Sequence, residues 1–131
     1  MLRSLIFSAA LLASTGALAE PLTVRPGESW VFRISNGEPV QSRRVAATRK
    51  PAPGEVRVTM LTALGTSVMM TSNNRVGYTF RAELLGVPAN TRQAVRTCTL
   101  PAGAKPVLEY WPVKAAMVRL SRFEQTAEGH C

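Results

Sequence analysis

The chain has 131 residues, 46% of them hydrophobic, and carries 16 basic residues against 8 acidic ones for a net charge of +8. Such a length suits one modest core, and the apolar fraction excludes a disordered chain. Every acid is a glutamate, histidine occurs once and cysteine twice; dense disulfide scaffolds are excluded, and few groups remain for acid–base catalysis.

Arg3 precedes the apolar run from Leu5 to Ala13, and Ala17-Leu18-Ala19 fits the small-x-small pattern of a signal-peptidase site. The expectation is a secretory signal peptide over residues 1–19, cleaved to leave a single β-rich domain over residues 20–131. A run of nine residues is shorter than the roughly 20 that span a bilayer, so no transmembrane anchor is expected in the mature chain. Loss of Arg3 with the leader takes the charge from +8 to +7.

Turn signals then recur: Pro26-Gly27, Asn36-Gly37, the stretch Lys50-Pro51-Ala52-Pro53-Gly54, Asn73-Asn74, Gly86-Val87-Pro88 and Pro101-Ala102-Gly103. Their spacing of about ten residues, with valine, threonine and aromatics between, predicts an all-β protein of roughly seven to nine short strands, either an antiparallel sandwich or a barrel. Alternation is clearest at 28–35, where Trp30, Phe32 and Ile34 share a face, and at 75–84, where Val76, Tyr78, Phe80, Ala82 and Leu84 do. Further strands are expected at 40–48, 55–64, 66–72, 93–100 and 107–111. Asn36-Gly37 predicts a tight first hairpin. A short helical turn is expected at 90–93, with Asn90 as cap and Gln93 reaching back. Residues 113–128 fit two patterns: Val113, Ala116, Met117, Leu120, Phe123 and Ala127 have helical spacing, while 117–121 alternates. The strand is preferred over a C-terminal helix.

Cys98 and Cys131 both follow the predicted cleavage site, and an even pair in an exported chain predicts a disulfide that ties the tail to the body. Closing a loop of that length stabilises by roughly 3 to 4 kcal/mol in the chain-entropy model. No Cys-x-x-Cys spacing supports a redox motif.

The catalytic inventory is thin. A Ser-His-Asp triad lacks its aspartate, and the sole histidine, His130, sits beside Cys131. A zinc site from Cys98, His130 and Cys131 competes with the simpler disulfide. Glutamate pairs such as Glu83 and Glu109 have no distinguishing pattern. Met60, Met69, Met70 and Met117 are expected as core filler rather than copper ligands. No enzyme activity, cofactor or metal is predicted.

The arginines carry more information. Arg33, Arg57, Arg75, Arg81 and Arg96 fall in predicted strands, and Arg43-Arg44 adds two more. Arginines on neighbouring strands, about 4.8 Å apart, are able to grip one extended polyanion. Tyr110 and Trp111 must point to opposite sides of their strand, so one ring is core and the other, with Trp111 taken as the candidate, reaches a partner. The functional expectation is a periplasmic or secreted binding domain whose arginine-rich sheet face meets an anionic envelope component or another protein. The rival expectations are an accessory subunit held by strand addition at a sheet edge, and a small secreted enzyme inhibitor. Nucleic acid is disfavoured, because the aromatics needed for base stacking fall on apolar faces.

Overall fold

A computed structural model describes residues 19–87 and 92–131, so the predicted leader lies outside the described residues except for Ala19, as do Asn90 and Thr91 of the predicted turn. The described residues form nine strands and no helix. They are β1 (Leu22–Val24), β2 (Ser29–Ser35), β3 (Glu38–Val45), β4 (Val56–Leu61), β5 (Thr66–Ser72), β6 (Gly77–Leu85), β7 (Gln93–Val95), β8 (Pro106–Trp111) and β9 (Met117–Thr126). Two antiparallel sheets result, one in the order β1-β9-β6-β7 and one in the order β3-β2-β4-β5-β8. The architecture is a sandwich and not a closed barrel.

The strands form where period-two alternation gives each sheet one apolar face. Val56, Val58 and Met60 of β4 face inward beside Val68 and Met70 of β5, all fully buried. Opposite them stand Leu22 and Val24 of β1, Ala82 and Leu84 of β6, and Val118 and Leu120 of β9. Phe123 joins the layers: its ring centroid lies 5.5 Å from both Phe32 and Phe80 and 6.4 Å from Tyr78. The first hairpin is as tight as expected. Ser35 pairs with Glu38, and Asn36 and Gly37 both take positive φ, 51° and 79°, the signature of a two-residue primed turn.

Two bulges explain where simple alternation fails. In β9, Ser121 and Glu124 pair with Arg81 and Thr79, so two residues stand opposite Phe80 alone, and Arg122 adopts a φ of 53°. The inward side chains therefore change from Val118 and Leu120 to Phe123, a three-residue step that imitates helical spacing. In β3 the corresponding kink falls at Gln41, with φ 51°. Two expected elements are corrected and one strand is new. The predicted strand at 93–100 shrinks to β7 plus a lone bridge between Leu100 and Tyr78, Gln93 opens β7 instead of closing a helical turn, and β1 was not anticipated.

Candidate anion-binding site

At one end of the sandwich the β5–β6 loop, residues 98–105 and the C-terminal segment converge. The tail is held there by the Cys98–Cys131 disulfide. Thr99 reinforces it: its N–H donates to the His130 carbonyl (2.8 Å), and its hydroxyl oxygen accepts the His130 N–H (3.1 Å) and lies 2.9 Å from Nδ1 of the same ring. Main-chain bonds order the facing loops. Gly54 N–H donates to the Asn73 carbonyl (2.6 Å), Gly103 N–H to Asn74 (3.0 Å) and Ala104 N–H to Ser72 (2.8 Å). The Asn73 side-chain amide donates to the Pro51 carbonyl at 3.0 Å.

Two grooves open between these segments. One, of about 640 Å³, runs under the tail and is lined by Arg75, Val76, Thr99, Pro101, Thr126 and His130 among others. The second, of about 770 Å³, is lined by Pro53, Gly54, Asn73, Asn74, Arg75 and Lys105 with their neighbours. Arg75 lines both. The Arg33 guanidinium lies against Gly54, so closely that a Cβ there would collide with it. None of Arg33, Arg75 and Lys105 has a carboxylate within ion-pair distance among the described residues, whose pairs are Arg43–Glu55 (2.9 Å), Arg44–Glu28 (3.4 Å), Arg81–Glu83 (3.8 Å) and Arg92–Glu83 (3.6 Å). Arg33 still acts at longer range on buried Glu55 and helps hold its carboxyl low; the guanidinium of Arg75 and the ammonium of Lys105 are suited to capture an oxyanion.

The expected single basic face does not form. Arg33, Arg43, Arg44 and Arg57 belong to the five-stranded sheet, Arg81 to the four-stranded one, Arg75 to a loop, and Arg96 follows β7. Register also gives several of them internal partners. Arg57 points outward from β4, yet the β3–β4 loop folds over it, and its guanidinium donates to the carbonyls of Arg49 (3.1 Å) and Ala47 (3.4 Å). Val31, the register partner of Arg57 on β2, is also fully buried although it faces the outer side of the sheet. Glu55 is buried, which raises its pKa, but the Ala52 N–H and Arg43 outweigh burial and hold the carboxyl below its usual value. Glu28 is held low by the Arg25 N–H, by the Trp30 indole and more weakly by Arg44.

Trp111 is likewise corrected. It is buried, with its indole N–H donating to the Arg96 carbonyl at 2.9 Å, and Tyr110 takes the outward place. Glu109 also faces inward on β8. Burial pushes its carboxyl above the usual range, partly offset by the Cys98 N–H that it accepts at 2.6 Å. The two cysteines are spent on their bond and are not metal ligands. Lys105, Asn73 and Asn74 were missed from sequence: the two asparagines were legible only as a turn and Lys105 only as one cation among many, and neither signal reveals that these segments meet at one end. Comparison with known proteins finds no matching family model, no similar curated protein and no similar solved structure.

Proposed function

We propose that this chain is an exported, non-enzymatic binding domain of the cell envelope that takes an anionic ligand at the Arg75 end of the sandwich. The observation that carries the reading is the position of Arg75, shared by two adjoining grooves with Lys105 beside it and no carboxylate partner among the described residues. A net basic chain raises the local concentration of anions around such a site. The leader-like N-terminus and the disulfide support an oxidising compartment.

Titration calorimetry with inorganic phosphate and glycerol phosphate tests the proposal. Binding is expected to weaken as salt rises, and Arg75→Gln is expected to weaken it by about tenfold, the worth of one charge-assisted contact. Binding that is indifferent to both salt and the substitution would sink the proposal.

A further inference from the structure

Three of the four sheet edges in the described fold are guarded. β1 and β7 offer only three residues each. β3 carries Pro39, Arg43 and Arg44 and is kinked at Gln41. Short length, charge, proline and bulges are the devices that keep natural sheets from pairing with other chains. β8 differs. It runs for six residues, pairs only with β5, has no charged side chain on its outer face and makes no main-chain bond on its far side among the described residues. Pro106 limits only its first position.

Three outward rows cross β4, β5 and β8: Arg57, Thr71 and Pro106, whose arginine is held by the β3–β4 loop, then Thr59, Met69 and Leu108, then Leu61, Ser67 and Tyr110. The last two rows carry exposed apolar side chains beside the edge. Leu61 is 43% exposed, Tyr110 53%, Leu108 57% and Leu64, in the adjoining turn, 88%. Of the large apolar side chains exposed among the described residues, only Val76 lies elsewhere. Tyr110 is fixed in place, with its hydroxyl donating to the Leu64 carbonyl at 2.8 Å and its ring beside Gly65. Scattered exposed apolar residues are ordinary, but a contiguous set beside an open edge marks a contact surface.

We propose that β8 is a docking edge for an extended segment of a partner protein, apolar at alternate positions and acidic at its ends. The unpaired main chain of β8 dictates an extended occupant. Alternate side chains of an added strand continue the rows that end at Leu108 and Tyr110, roughly 5 Å further on. Exposed Lys105 and Lys114 stand just beyond the two ends of β8, and the outward residues of β5 and β8 include no carboxylate. These cations select acidic flanks. They also disfavour a second copy, because antiparallel pairing of two β8 strands brings Lys105 of one copy toward Lys114 of the other at each end. This surface is distinct from the Arg75 grooves and shares only Lys105 with them.

The test uses the mature chain and a synthetic peptide of alternating valine and threonine with paired glutamates at each end. Binding is expected with new amide protection confined to Val107–Trp111, read by hydrogen exchange in the wild-type protein. Replacing the glutamates by lysines, or introducing Leu108→Lys, is expected to weaken binding by about tenfold or more, since charge on an edge opposes pairing. Arg75→Gln leaves peptide binding unchanged, which separates this proposal from the anion site. Absence of binding, binding without protection at β8, or equal binding by the lysine-ended peptide overturns it. So does a concentration-dependent dimer abolished by Leu108→Lys in a chain that ignores the peptide, which would assign the edge to a second copy.

Discussion

On the β3 flank the two sheets are stitched by main chain, with Phe123 N–H donating to the Gly37 carbonyl at 2.7 Å and Glu20 N–H to the Pro39 carbonyl at 3.2 Å. On the β8 flank the links are side chains: the Trp111 indole to the Arg96 carbonyl, the Glu109 carboxyl to the Cys98 N–H, and the disulfide nearby. The first arrangement uses up backbone groups at the edge and surrounds them with Arg43, Arg44 and Glu38. The second leaves the backbone of β8 open. An edge in this sandwich can be closed without being paired, and the manner of closure decides whether it is left available to another chain.

The largest expected effect breaks the stitched flank. Phe123→Ala removes the ring that meets Phe32, Phe80 and Tyr78 and is expected to destabilise the fold by about 3 to 5 kcal/mol, whereas Leu108→Ala on the open flank should stay within about 0.5 kcal/mol, both read by chemical denaturation. Comparable losses would mean that β8 is more than a free edge. Next comes the bridge. Replacing Cys98 and Cys131 together by serine is expected to cost roughly 3 to 4 kcal/mol for a sequence separation of 33. Hydrogen exchange should then accelerate around Cys98 and Thr99 more than at the Gly37–Phe123 contact.

The smallest effect sharpens the comparison through pH, because the two flanks hold their carboxyls in opposite senses. Glu28 and Glu55 sit below their usual pKa, so their contribution is present above the ordinary glutamate value and is lost as pH falls through the lowered one. Glu109 sits above it, so its contribution is complete in acid and is lost as pH rises through the raised value. Acidification therefore weakens the β3 flank and firms the β8 flank. Glu109→Gln keeps an acceptor for the Cys98 N–H without the buried charge; its thermal midpoint is expected to exceed that of wild type near neutral pH, with the gain vanishing at about pH 4. A midpoint lowered at neutral pH would show that ionised Glu109 is held by a partner outside the contacts described.

Alternation made β2 and β6 legible, and Asn36-Gly37 located the first turn, because local chemistry alone determines those features. β9 stayed ambiguous because its bulge at Arg122 moves the inward face from Leu120 to Phe123, a consequence of pairing with β6 that periodicity cannot express. The arginines were visible as a class but not by role. Whether Arg57 binds a ligand or two loop carbonyls depends on how residues 46–55 fold back over the sheet. Trp111 and Tyr110 were assigned to opposite faces correctly, but not which was which. β8 turns Glu109 inward and Leu108 outward, reversing the usual binary pattern.

The ring of chain closed by Cys98 and Cys131 encloses both β8 and β9, an edge strand of one sheet and an internal strand of the other. Without the bridge, everything beyond β8 would be joined to the rest of the fold by the backbone and by the pairing of β9 alone; with it, the last residue is also bonded to the segment that precedes β8, so both ends of the circuit stay anchored if either strand loosens.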